Sequence, residues 1–122
     1  MVTDPVAVAF VCSLVKGKSL QLLYRGSRDG WKYRDFHDRC DNKGATLTLF
    51  KTDDGRVCGG YTSVSWESPK SWEFKADPSA FVFSVDHQRV FNINNDQTHQ
   101  AICCDSIRGP SFGYIGCIGA FF

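Results

Sequence analysis

His37, Cys40 and Asp41 are the residues whose types and spacing come nearest to chemistry in this chain. A cysteine beside a histidine oriented by a third group is the arrangement of an activated nucleophile. The same His–Cys pair is half the ligand set of a zinc site. Both readings meet a geometric objection. Catalytic partners must converge in space, whereas side chains three or four residues apart on one helix point outward in parallel. A zinc site needs three or four ligands, no CxxC occurs, and Cys103-Cys104 is the one candidate for a second half. A thiol-dependent redox or hydrolytic enzyme using Cys40 and His37 is the alternative function. It requires the cations Arg39 and Lys43 to lower the Cys40 pKa. The preferred reading assigns no catalytic residue, no metal and no cofactor, and makes this a packed helix face with a hydrogen-bonded histidine. The GPSFG segment lacks the G-x-S-x-G spacing of a serine nucleophile. No Gly-Lys-Ser/Thr follows any glycine-rich stretch to make a phosphate loop.

The element that would position these side chains is a helix from Trp31 to about Asp41. Tyr33, Phe36, His37 and Cys40 fall at i, i+3, i+4 and i+7, with Arg and Asp opposite. Ser27 or Asp29 is a candidate cap at its start, and Gly44 suits the left-handed position after its end. Ser19–Tyr24 before it reads as a short buried strand. Met1–Lys18 allows either a helix opened by Asp4-Pro5, with Val6, Phe10, Val11 and Leu14 on one face, or a strand. Downstream the pattern is sheet. Ala45–Phe50 alternates, Asp54-Gly55 signals a hairpin, and Arg56–Thr62 returns, with Gly59-Gly60 marking a bulge or a close approach. Ala80–Val85 and Arg89–Ile93 form a second hairpin around Asp86-His87-Gln88, and Gln100–Cys104 is a further strand. Val64–Pro78 is a long loop whose Trp66 and Trp72 either anchor it to the sheet or bind a partner. The anchoring role is preferred.

Bulk composition excludes several classes. The 122 residues suit one domain, and a hydrophobic share of 43% with 22% charged residues is that of a folded globular chain. A net charge of +1 gives no field for nucleic acid. The basic cluster Arg25, Arg28, Lys32, Arg34 and Arg39 is neutralised by Asp29, Asp35, Asp38 and Asp41. The apolar run Val6–Val15 is too short to span a membrane, and an internal core element is preferred to a signal peptide there. The six cysteines read as mostly buried, reduced thiols of an intracellular protein rather than a disulfide framework.

Taken in order, LLYRGSRDGW, FHDRCDNKGATLTLFK, GGYTSVSW, FVFSV and GPSFG resemble the TLDc domain of the oxidation-resistance proteins, from about Leu20 to Gly113. The resemblance implies an α+β, mostly β fold: an antiparallel β-sandwich flanked by short helices, cytoplasmic, and lacking membrane insertion. It also implies a non-enzymatic protein-interaction domain linked to oxidative-stress protection and to regulation of the vacuolar-type proton ATPase, or to stabilising another large assembly. Arg25, Arg28, Asp29, Trp66 and Trp72 are the partner-binding candidates. Trp31 stands where the family often has Phe, and Ala45 and Ser65 where Pro is frequent. After Gly113 the pattern is lost, so the sandwich is expected to lack its last strands through truncation, to have them supplied by a partner, or to be a divergent compact version. The whole of residues 1–122 reads as a single TLDc-like domain, with 1–19 and 114–122 outside the clear resemblance.

Overall fold

The computed structural model describes residues 4–16, 18–93 and 99–112. Its first element settles the open choice near the N-terminus in favour of a helix. α1 spans Pro5–Leu14, with proline in its first turn and the Asp4 carboxylate accepting from the Ala7 N–H at 3.2 Å. That cap satisfies one of the four amides a helix start leaves without partners. Ala7, Phe10, Val11 and Leu14 face the sheet, whereas Val6 is left in solvent.

Among the described residues four strands make the larger sheet: β1 (Thr46–Lys51), β2 (Val57–Thr62), β4 (Phe81–Ser84) and β5 (Arg89–Asn92), in the order β1-β2-β4-β5. These pairings are antiparallel. The smaller sheet is β3 (Glu73–Lys75), β6 (Ile102–Cys104) and β7 (Ser111–Phe112), also antiparallel. Alternation assigns the two faces of the larger sheet. Leu47, Leu49, Val57, Phe81 and Phe83 meet α1, with Phe10 edge-on to Phe83 at 6.4 Å. Val82, on the other face, packs against Ile102, Cys104 and Phe112 of the smaller sheet, together with Trp66, Phe36 and Cys40. The described chain is therefore mostly antiparallel β with short helices, and it carries a core on each side of β2 and β4.

The expected bulge at Gly59-Gly60 is absent, since β2 stays in register with both neighbours. The close approach is present. A Cβ on Gly59 would overlap the Thr48 carbonyl oxygen, and one on Gly60 would sit 2.5 Å from the Phe112 ring. The hairpin at Asp54-Gly55 forms with Gly55 at φ 86°.

Two expectations are corrected. Ser19–Tyr24 is not a buried strand: residues 18–25 are irregular, Leu20 and Leu22 are exposed, and only Leu23 and Tyr24 reach the core. Val64–Pro78 is not a plain loop, because β3 lies within it. The Gly109-Pro110 turn leads directly into β7. Residues 94–98 lie outside the described residues, as do residues 113–122, where strands were expected to be missing. No helix among the described residues is long and apolar enough to cross a membrane.

Candidate functional site

α2 (Gly26–Asp29) and α3 (Tyr33–Cys40) form the corner that carries most of the candidate residues. Neither Ser27 nor Asp29 caps α3. The Asp35 carboxylate does so from inside the helix, accepting from the Lys32 N–H at 3.1 Å. At the far end the left-handed residue is Asn42 (φ 59°), and Gly44 (φ 75°) follows in the next turn.

His37 is buried at the end of α3, and its ring is fully engaged. Nδ1 lies 2.7 Å from Asp41 Oδ1, and Nε2 lies 2.9 Å from the Asp105 carbonyl oxygen and 2.7 Å from that of Arg108. All three are oxygen acceptors, so neither nitrogen is turned toward a nucleophile. The other oxygen of Asp41 accepts from the Ser68 hydroxyl. The order Ser68–Asp41–His37 puts the carboxylate in the middle, where a hydrolytic triad has its imidazole. The His37 ring thus fastens α3 to the 105–108 turn.

Cys40 points into the core with Phe36, Trp66 and Phe112. Burial, and then the Asp41 carboxylate, push its thiol up to about 12, and Arg39 and Lys43 do not offset them. The lowered pKa that thiolate chemistry needs is therefore absent. Burial likewise raises Cys104. Among the described residues no group of three or more His, Cys, Asp or Glu side chains could hold a metal ion.

The surface side of the corner is ordered by Asp29. Its carboxylate accepts from the Arg25 N–H at 2.9 Å and from Arg28 Nε and Nη2 at 2.7 and 2.8 Å, and Arg39 Nε stands 3.5 Å away. The bidentate Arg28 bond and the Arg25 amide hold this carboxyl well below the usual carboxylate range. Asp29 is thus a scaffold whose oxygens are occupied. The side chains offered to solvent include Arg25, half of Arg28, Trp31 (57% exposed) and Tyr33 (48%), with Lys32 and Arg34 beside them in sequence. Trp31 lies so closely over Gly26 that a Cβ there would overlap its ring. Tyr24 fixes the bend by donating to the Gly30 carbonyl at 2.6 Å.

The two loop tryptophans part company. Trp66 is 1% exposed, donates from Nε1 to Thr46 Oγ1 at 2.9 Å and meets Phe36 and Phe112 edge-on. It is a core anchor. Trp72 is exposed, edge-on to Phe74, and far in sequence from the α2–α3 corner. Sequence reasoning does not single out Trp31 and Tyr33 as surface residues. The signal for Trp31 is Gly26, which leaves room for a ring to lie on the backbone.

Comparison with known proteins agrees with this architecture. The family profile of the TLDc domain matches residues 8–118, beginning earlier than the motifs at Leu20. Human interferon-induced protein 44 is 41% identical over 54 residues, 44% of this chain and 12% of that protein. The zebrafish MTOR-associated protein MEAK7 is 30% identical over 80 residues, 65% of this chain and 17% of that protein. Chimpanzee interferon-induced protein 44 is 29% identical over 91 residues, 73% of this chain and 19% of that protein. The chain thus spans less than a fifth of the length of each of these relatives.

Proposed function

The chain belongs to the TLDc domain family, and from that membership we propose that it is a non-enzymatic protein-interaction domain docking through its α2–α3 corner. The observation that carries this reading is the exposed Trp31, laid on the Gly26 backbone beside an Arg28 locked by Asp29. Tryptophan, tyrosine and arginine are the residues that dominate binding at interfaces, and an ordered side chain loses little entropy on docking. The occupied His37 ring and the buried Cys40 thiol favour this reading over the thiol-dependent enzyme.

The family resemblance nominates the vacuolar-type proton ATPase as the partner, acting in the cytoplasm and in protection from oxidative stress. The name of the zebrafish relative, which describes association with MTOR, also favours a role inside a large assembly. The test is affinity capture of purified vacuolar-type ATPase on the immobilised chain. Trp31→Ala combined with Arg28→Ala should weaken retention by about 30-fold, the effect of losing roughly 2 kcal/mol at a hot spot. Equal retention by the wild type and the double variant would remove the corner from the interface. Failure of the wild type to retain the ATPase would remove that partner.

A further inference from the structure

Four prolines occur in the sequence, and Ser68-Pro69 is the sole position where one follows a serine or threonine. Ser68 is exposed, on the irregular stretch between Trp66 and β3. Its hydroxyl donates to Asp41, whose other oxygen holds His37. We propose that Ser68 is a phosphorylation site for a proline-directed protein kinase, and that the phosphate releases the seam between the end of α3 and the Trp66 segment.

The site meets both requirements of such a kinase: an exposed serine outside regular secondary structure, and proline directly after it. In the transfer, Ser68 Oγ bonds to the γ-phosphorus of ATP as the bond from that phosphorus to the β,γ-bridging oxygen breaks. ADP departs, and the hydroxyl proton passes to the kinase's base. The modification is disruptive for reasons of charge. A phosphoserine carries close to two negative charges and can no longer donate to Asp41. It would sit against the Asp41 carboxylate at the C-terminal end of α3, where negative charge is already disfavoured. Lys75, at the end of β3, is engaged by Glu67 at 3.1 Å and by the Ser65 carbonyl at 2.8 Å. Lys70 and, two residues after Asp41, Lys43 are exposed and bring two positive charges, against close to two negative charges on the phosphate and one on Asp41. Beneath the surface Phe36 and Trp66 join the two segments edge-on; at the surface they are joined by a parallel bridge between Asp41 and Trp66, with the Asn42 N–H donating to the Trp66 carbonyl at 2.9 Å and the Gly44 N–H to Ser65 Oγ at 2.8 Å. Repelling Ser68 from Asp41 pulls directly on that bridge.

The test treats the purified chain with a purified proline-directed kinase and Mg·ATP, maps the product by peptide mass spectrometry, and follows amide exchange. One phosphoryl group should appear on Ser68. Pro69→Ala, which keeps the hydroxyl, should abolish its incorporation. In the phosphorylated protein the Asn42 amide should exchange more than about tenfold faster, because the loss of one charge-assisted hydrogen bond is joined by repulsion between the phosphate and Asp41. Ser68→Ala, which removes the bond but adds no charge, should give a smaller acceleration. The proposal is overturned if Ser68 stays unmodified while a peptide containing Ser68-Pro69-Lys70 is phosphorylated in parallel. It is equally overturned if Ser68 is modified and Asn42 exchange does not change.

Discussion

Replacing Asp77 by asparagine should cost about 2 kcal/mol near neutral pH, and that cost should shrink in acid. The Asp77 side chain is buried, and five donors converge on it. Oδ2 accepts from Thr62 Oγ1 at 2.8 Å and the Ser63 N–H at 2.7 Å, while Oδ1 accepts from Ser63 Oγ at 2.8 Å, Ser79 Oγ at 2.7 Å and the Ser79 N–H at 3.1 Å. The carboxylate ties the end of β2 to the residues just before β4. An asparagine must turn its NH2 toward one of these groups of donors. The less costly choice faces it to Ser79 and the Ser63 hydroxyl, since hydroxyls can rotate to accept and residues 63 and 79 reach water. What is then lost is one amide partner and the charge on the acceptor, which is the strength of a charge-assisted bond, about 1.5–3 kcal/mol. Burial acts to raise the Asp77 pKa, and the bonds from Ser79, Ser63 and Thr62 outweigh it, so the folded carboxyl lies below its ordinary value. A pKa depressed on folding contributes stability that is complete above the unfolded value, about 4, and disappears as pH falls through the folded value. Urea unfolding at pH values of about 7, 5, 4 and 3 gives the difference between wild type and Asp77→Asn across that window. A gap that stays constant over the whole range would refute the account.

Further outcomes follow from single contacts. Cys40, pushed to about 12 by burial and Asp41, should resist alkylation at a pH of about 8 in the native protein while the exposed Cys12 reacts; peptide mass spectrometry reads both sites. Gly60→Ala should destabilise by about 1–3 kcal/mol through the Phe112 ring, and Phe112→Leu in the same chain should recover part of that loss in urea titrations. His37→Ala should cost about 3 kcal/mol or more, because the Asp41 carboxylate and two carbonyls lose their shared partner. Its signature is faster amide exchange in the 105–108 turn.

Several elements are readable because local chemistry dictates them. α3 follows from its buried Phe36, His37 and Cys40, although Tyr33, read onto the same face, is exposed; both hairpins follow from their turn residues, and the Gly59-Gly60 approach from the missing side chains. Other features depend on distant partners and leave no local trace. The His37 ring is bonded to residues 68 and 71 positions away, so its spacing to Cys40 suggests chemistry that its surroundings do not support. Trp66 and Trp72 look alike in sequence, yet Thr46 and the core claim one and leave the other in water. Ser19–Tyr24 has the composition of a strand, but among the described residues no neighbouring strand pairs with it. The exposed corner is partly visible in sequence: the turn chemistry marks Arg25, Arg28 and Asp29, whereas the only signal for Trp31 is Gly26, which leaves room for its ring.

The glycine pair on β2 also determines how the molecule responds to change. Gly59 opens toward the α1 side, where the Phe83 ring lies close, and Gly60 opens toward Phe112 on the other. At this point the wall between the two cores is one backbone thick. Substitutions on opposite faces of such a partition are felt across it, so replacements at Phe83 and Phe112 will constrain one another through the strand they share. The two halves of this fold are therefore free to diverge only together.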